Sequence, residues 1–511
     1  MVKRIVANSA LNAAAGLALL LIGFVCSIIT ARLLGPEANG IIAFSLWLAV
    51  TAALISELGT GVILLRLLPQ LKVQGHDDSA RRGFAAYLLR PVVLATIVVT
   101  VLYFLAFWVA EHEHWAKTAP LVVLLTGILI FIQSIGSFTK NVMLGEQDVA
   151  AFFRMSVIAG MLQFAGVLGG ALLFGIPGAI CGYILGFVPQ FVYSLGILRS
   201  RTNACGIAPG YLVSSSLILS VQYIIDSIFL NRIELFFLER SHGVEMVGYY
   251  AAALSLANLA LQLPVQLTGS LVPYYSEKLK LHDTDRLPVA VFEGVVRSIA
   301  YITLPLSFGL AAIAPTLVIV VFGEAFAPSG AMLRILALVA PAFVLGMICT
   351  QYLFSQDRIK DRLKIGVIGA VTMVAGALVV VPSFGGEGAA AVRLIVFLVM
   401  AVLMLRGMEF EGSLSRMYRT VGKVALAALL CGITAYGVLQ VLAGVLGLIT
   451  SITCGALAYF VALRLLAAIP VEDHAPIEDL VARVPGGVCA GSGRGVAFLV
   501  GPPPTRKGGG G

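Results

Sequence analysis

The sequence is a succession of apolar runs, most of them close to bilayer length, joined by linkers of a few residues. The pattern is plainest around Arg32-Leu33-Leu34-Gly35-Pro36-Glu37-Ala38-Asn39-Gly40, where one run ends in a Gly-Pro turn with an acid and the next, Ile41 to Leu68, begins. A helix needs about 20 predominantly apolar residues to cross roughly 30 Å of hydrocarbon. That ruler gives spans at 8–34, 40–66, 86–110, 119–143, 155–174, 177–198, 211–238, 247–272, 291–321, 330–354, 365–384, 388–405, 424–442 and 446–467. The composition closes off the soluble alternative. Of 511 residues, 59% are hydrophobic and 12% charged, against about 25% charged in a soluble domain. No soluble core hides that much apolar surface, so the expected fold is an all-α polytopic membrane protein of about 14 transmembrane helices.

Lysine and arginine fix the expected orientation. With the N-terminus cytoplasmic, 28 of the 34 basic residues fall in cytoplasmic linkers or the tail; the other six are Arg32, Lys117, Arg232, Arg240, Arg334 and Arg393. The net charge of +8 is then membrane topology rather than a nucleic-acid surface. The opening Met1-Val2-Lys3-Arg4 resembles a signal peptide, but the run continues to Leu34 without a small-residue cleavage site, as a retained helix does. Seven cysteines show no CxxC pairing, and no histidine lies in an apolar run. A metal site or a histidine base is therefore not expected.

An internal repeat organises the chain. Gly35-x-Glu37-x-x-Gly40 recurs as Gly243-x-Glu245-x-x-Gly248, 208 residues on, each with an arginine three residues before its first glycine. Gln147-Asp148 recurs as Gln356-Asp357, and Phe174-Gly175-x-x-Gly178-Ala179 as Phe384-Gly385-x-x-Gly388-Ala389. Glycine at a helix turn is commonplace, but three motifs in order at nearly one spacing mark a duplication. The expected organisation is a lobe of six helices at 1–205, a second at 206–420, an extra helix pair at 421–468, and a disordered cytoplasmic tail at 469–511. Six is even, so both lobes insert the same way up. Parallel repeats of this kind place a transport site between them.

The segment Arg32-Leu33-Leu34-Gly35-Pro36-Glu37-x-x-Gly40, with Glu57-Leu58-Gly59, Gly248-Tyr249-Tyr250-Ala251 and Pro273, resembles the polysaccharide transporter family. These are the Wzx-type flippases of O-antigen and related repeat units, in the superfamily of the MATE multidrug exporters and the lipid II flippases. The resemblance implies two six-helix lobes around a central cavity, alternating access, and a polyprenyl-diphosphate-linked oligosaccharide as cargo. It implies no cofactor beyond a coupling Na⁺ or H⁺. Membrane lipids and polysaccharide polymerase or assembly machinery are the expected partners, and a bacterial inner membrane with both termini cytoplasmic is the expected location. By the same likeness the extra pair forms a hydrophobic groove for the lipid tail; a simple packing addition is the alternative.

Carrying a lipid-linked sugar means moving a glycan and diphosphate through a medium that rejects polar groups. Ionisable residues inside spans are costly and are functional candidates by default. Asp226 lies midway along its span, with Gln222 and Ser215 on the same helical face. That stripe is either a cavity-lining ion or proton site or a satisfied contact between helices. The first span offers a similar face, Asn12, Gly16, Gly23, Ser27 and Thr30, which serves equally for close packing. Glu57 reads as an ion ligand or, more cheaply, as the partner of Arg66. Candidate cations for the diphosphate are Arg32, Arg66, Arg232, Arg297 and Arg393, since guanidinium matches phosphate geometry. Arg66 and Arg297 sit at cytoplasmic ends where snorkelling suffices, and Arg232 has Glu234 and Glu239 nearby in sequence.

Two other functions fit the class. An ion-coupled multidrug or cation antiporter would need acids to dominate the cavity, and the inventory leans the other way. A membrane glycan polymerase or ligase would need a sizeable outer loop, whereas Glu111-His112-Glu113-His114-Trp115 is short. No enzyme activity is expected.

Overall fold

The computed structural model describes residues 2–109, 119–268, 271, 274–275, 289–356, 358–408, 410 and 414–473. The Glu111–Trp115 loop, Pro273, Asp357 and the tail from 474 lie outside these, as do the side chains of Asn12 and Ser215.

The helices are α1 (Val2–Ser56), α2 (Thr60–Val73), α3 (Asp78–Val109), α4 (Pro120–Gly145), α5 (Val149–Leu198), α6 (Pro209–Ile224), α7 (Glu234–Thr268), α8 (Val289–Phe322), α9 (Ser329–Ser355), α10 (Ile359–Gly407), α11 (Ser415–Val441) and α12 (Gly444–Leu465). A π-helical turn, Ile225–Phe229, follows α6. Among the described residues, ten helical segments are long and apolar enough to cross a membrane. Four of these are bent at a left-handed glycine: Gly35, Gly175, Gly243 and Gly385. Counting each bent segment as two spans turns the ten into the fourteen of the sequence. Their outward faces suit lipid, with Leu173, Phe174 and Val379 each more than 70% exposed.

The four bends match in pairs at the spacing of the repeated motifs. Gly35 and Gly243 adopt φ/ψ of 84°/−179° and 78°/−179°. Gly175 and Gly385 adopt 63°/−135° and 54°/−135°. These are regions that only glycine enters cheaply. Near the Gln147-Asp148 and Gln356-Asp357 pair each chain segment closes a turn of similar width, the Asp148 amide donating to the Met143 carbonyl at 3.0 Å and the Arg358 amide to the Leu353 carbonyl at 2.9 Å, one residue out of register with the motif.

By compactness the chain divides into two units. One comprises Met1–Leu259, Val321–Met332 and Leu363–Val396; the other comprises Ala260–Val320, Leu333–Arg362 and Phe397–Gly511. Every boundary falls within a helix, so the units and the six-span blocks partition one chain differently. In the first unit, α1 and α4 pack against α5. A core of Leu64, Leu68, Phe84, Leu89 and Phe138 ties α2 and α3 to α4. In the second, α11 and α12 pack together and against α8 through Leu304, Val424, Cys431 and Tyr459.

Candidate functional site

Three polar assemblies in the first unit and one in the second include Arg32, Glu57, Gln222, Asp226, Arg232, Arg297 and Arg393 of the residues singled out from the sequence.

The first lies at the end of the spans away from the N-terminus, where the repeat mates Gly40 and Gly248 meet. A methyl on Gly40 would overlap the Val244 carbonyl and lie 2.9 Å from the Gly248 nitrogen. A methyl on Gly248 would overlap the Pro36 carbonyl and lie 3.0 Å from the Gly40 nitrogen. Pro36 and Val244 are themselves 208 apart, so the crossing has local two-fold symmetry. Asn39 Nδ2 donates to the Gly248 carbonyl at 3.1 Å and its Oδ1 accepts from Thr30. Arg32 Nε donates to the Val321 carbonyl at 2.8 Å. Phe24 meets Phe322, and Tyr249 meets Phe326, edge to face. Trp47 packs between Phe44 and Phe236.

The second assembly is a buried charge cluster. Arg393 donates Nη1 to Glu234 Oε1, and also to the Asn231 carbonyl at 2.8 Å; Nη2 reaches Asn231 Oδ1 at 3.1 Å. Tyr250 donates its hydroxyl to Glu234 Oε1 at 3.0 Å. Glu234 is 1% exposed, and its Oε2 accepts no hydrogen bond among the described residues. Arg232 is within electrostatic reach of both Arg393 and Glu234. Glu234, close to Arg232 in sequence, thus pairs with Arg393 on α10. Two isolated opposite charges in apolar spans were the available signal, because burying either alone is expensive.

Just before this cluster the helix leaves α geometry. The π turn contains Asp226; Gln222 Nε2 lies 3.5 Å from Asp226 Oδ2, and Asn231 Nδ2 donates to the Asp226 carbonyl at 2.6 Å. A π turn frees a backbone carbonyl, and the Asn231 amide satisfies it. Of the expected Ser215–Gln222–Asp226 face, Gln222 and Asp226 adjoin; the Ser215 side chain lies outside the described residues.

The third assembly is at the other end of the spans. Glu57 is where α1 stops: Leu58 and Gly59 both have positive φ, and α2 starts at Thr60. Glu57 Oε1 accepts from Asn141 Nδ2 at 2.5 Å with Lys140 in electrostatic reach. The expected partner Arg66 is instead exposed on α2, because the break redirects the chain between them. Below this, Arg81 Nε bridges both Glu146 oxygens at 3.0 Å and its Nη1 donates to the His76 carbonyl at 2.6 Å. These residues border a cleft of about 1160 Å³ lined by Lys72, Asp78, Arg81, Arg82, Glu146 and Arg201 among others. Its charges are of both signs. Asp77 caps α3, accepting from the Ala80 amide at 2.9 Å and the Ser79 hydroxyl at 2.8 Å. The Ala80 bond foremost, then the Ser79 bond, holds its carboxyl below the usual range.

In the second unit Arg297 grips Asp473 through two bonds of 2.5 and 2.6 Å, and Tyr301 donates to the same carboxylate at 3.0 Å. Residues Val471–Asp473 form a 3₁₀ turn, so ordered chain extends past Pro470. Sequence reasoning missed Asp473 because nothing before it signals a return of the chain to α8.

The structure thus groups Arg232 with Arg393, and Gln222 with Asp226; Arg32 and Arg66 stand apart from these groups, and Arg297 belongs to the other unit.

No curated protein sequence matches the chain. Among solved structures, the chain is similar to a lipid II flippase MurJ in an inward closed conformation, at TM-score 0.70 and 13% identity, over 89% of this chain and 98% of that one. It is also similar to a MATE-family multidrug resistance transporter of the MOP superfamily. The inward-facing form gives TM-score 0.60 at 16% identity over 76% of this chain and 93% of that one. The outward-facing form gives 0.53 at 16% identity over 79% and 94%. At these identities the likeness establishes the fold, that of a MOP-type transporter. A family model described as polysaccharide biosynthesis protein matches residues 29–331, well over half the sequence, and the chain belongs to that family.

Proposed function

We propose that the protein is a flippase that moves a polyprenyl-diphosphate-linked oligosaccharide, an O-antigen, capsule or exopolysaccharide repeat unit, across a bacterial inner membrane by alternating access. The observation that carries this reading is the family match over residues 29–331. The better fold match favours it over a drug antiporter: the lipid II flippase covers 89% of the chain at TM-score 0.70, the MATE structures 76% to 82% at 0.51 to 0.60. The relatives in fold are transporters and flippases rather than enzymes.

In this reading the diphosphate head travels between the two repeats, its charge met by guanidinium, while the prenyl chain stays in lipid and lies along α11–α12. Arg32, Arg66 and Arg232 supply the first contacts. Arg297 and Arg393 are engaged by Asp473 and Glu234 and contribute only where those pairs open. Asp226 binds the coupling H⁺ or Na⁺ at the π turn, with Gln222 beside it and Ser215 three turns back on the same helix. Both termini are cytoplasmic, and the cargo passes to polymerase and assembly machinery.

Deletion followed by analysis of lipid-linked intermediates tests this. The expected result is a polyprenyl-diphosphate glycan accumulating on the cytoplasmic leaflet. Unchanged glycans with new drug sensitivity would instead establish the antiporter. Asp226→Asn is expected to lower export; undiminished export removes Asp226 from coupling.

A further inference from the structure

Four bases and four acids line the cleft of about 1160 Å³ at the linkers that join α2 to α3, α4 to α5 and α5 to α6. Following each group's bonds removes the apparent balance. Asp77 caps α3 with both of its oxygens. Asp148 caps α5, accepting from the Ala151 amide at 3.0 Å. Glu146 holds both oxygens against Arg81, and the other nitrogens of that guanidinium go to Asp78 and to the His76 carbonyl. Every acid therefore has a partner, and so does Arg81. The remaining three cations are uncommitted. Lys72 reaches only the Glu146 carbonyl, at 3.3 Å, and Arg82 and Arg201 are exposed, with no ion pair among the described residues.

Main chain holds these cations in place. The Asn203 amide donates to the Gly83 carbonyl at 3.1 Å, and the Cys205 thiol lies 3.6 Å from the Ala80 carbonyl. A methyl on Gly83 would fall 2.6 Å from the Arg201 carbonyl, so the α5–α6 linker lies directly on α3. Arg82 and Arg201 thus stand on two backbones in contact, and Ser200 and Thr202 line the same recess as neutral donors. The first turns of α3 and α5 add the positive ends of two helix dipoles. Guanidinium and ammonium groups in a recess whose acids are all engaged suit phosphate oxygens. The cleft exceeds the roughly 300–1,000 Å³ of an ordinary small-molecule pocket, so it has room for a phosphorylated organic group. With this end cytoplasmic, as in the reading above, a basic recess between span ends is also where phospholipid headgroups settle.

We propose that this cleft is a phosphate site, in which Lys72, Arg82 and Arg201 hold the phosphate of an anionic phospholipid headgroup or of a soluble phosphorylated ligand. None of the three is among the cations assigned to the cargo above, and the site does not depend on what the cargo is.

Binding is read by native mass spectrometry on the full-length protein, delipidated in neutral detergent. Cardiolipin and phosphatidylglycerol probe the lipid source, with phosphatidylcholine as the control of zero net charge. Inorganic pyrophosphate and ADP probe the soluble source. Arg82→Gln combined with Arg201→Gln is expected to weaken binding by about tenfold or more. Arg90→Gln combined with Arg199→Gln removes as many exposed charges outside the cleft and is expected to leave binding unchanged. Selective loss of the anionic lipids in the cleft variant assigns the site to lipid; selective loss of pyrophosphate or ADP assigns it to a soluble phosphate. Equal binding by the two double variants, or no saturable binding of either class by the parent, overturns the site. The cleft variant should also keep the parent's unfolding midpoint when no anion is added. A midpoint lowered under those conditions would show Arg82 and Arg201 to be structural and would overturn the site as well.

Discussion

Glu234 and Arg393 come from different spans and meet where water is scarce. Taking two charges out of water costs several kcal/mol per ion, and their attraction restores this only when both are present. Arg393→Met strands a carboxylate that is 1% exposed, so a loss of about 3–5 kcal/mol is expected. The double variant with Glu234→Met should recover most of it. Thermal unfolding in detergent distinguishes the two, and a double variant as unstable as the single would show that Arg393 acts through packing. The sign of a pH effect can be worked out at Asp77, which lies outside the spans. Its folded carboxyl titrates below the unfolded one, so the cap's contribution is complete above the ordinary carboxylate range and is lost as pH falls through the depressed value. The protection factor of the Ala80 amide, its exchange rate relative to the intrinsic rate at each pH, should therefore fall in acid in the wild type, and should be low and flat across that range in Asp77→Ala. The pairing of Glu57 shows what residue-level reading cannot reach. An acid and a base nine residues apart fall on opposite faces of an unbroken helix, so only a break between them could have paired them; Leu58 does take positive φ, which a leucine rarely does, yet Arg66 ends up exposed.

At the scale of elements, the bent helices separate two uses of glycine. Gly35 is required for its conformation, since a methyl there meets nothing within 4 Å while φ is 84°. Gly40 is required for space. Gly35→Ala should cost about 1–3 kcal/mol of stability from backbone strain alone, read as thermal unfolding in detergent, whereas Gly40→Ala must displace the Val244 main chain and should lower the unfolding midpoint further. The spacing of 208 to 210 residues made these positions legible before any coordinates, because a glycine that must be left-handed cannot drift to another residue cheaply. That spans would run on through the bends as helices of 49 to 55 residues was not legible, since a Gly-Pro pair reads equally as a loop. Nor was the π turn at Asp226. An inserted residue in a uniformly apolar helix changes no periodicity that an eye or a moment can follow, and only the Asn231 amide under the freed carbonyl explains it. Charges on separate spans were equally opaque; sequence separations of 159 for Glu234 to Arg393 and 176 for Arg297 to Asp473 leave no local trace.

At the scale of the whole molecule, the chain must fasten a helix pair that lies outside the duplication. α11 and α12 bury Val424, Ala428 and Tyr459 with Leu304 of α8, and Tyr459 donates to the Tyr301 carbonyl at 2.9 Å. Association inside a bilayer gains nothing from hiding apolar surface, because lipid is as apolar as leucine, so this contact needs polar or close-packed fixings. Asp473 provides one by returning the chain to Arg297 and Tyr301 just after α12. The grip is two-pronged and largely shielded, with side-chain exposures of 5% for Arg297 and 13% for Asp473. The neighbouring Arg416–Glu472 pair is well exposed and worth little. Truncation after Pro470 should therefore strand Arg297 and lower the unfolding midpoint, by the equivalent of about 3 kcal/mol or more, and loosen α11–α12 to hydrogen exchange. Truncation after Asp473, three residues later, should leave both measurements at the wild-type values. Adding Arg297→Met to the shorter chain should restore most of the loss by removing the stranded charge. Equal stability of the two truncations would mean that hydrophobic packing alone holds the pair, with Asp473 incidental to it.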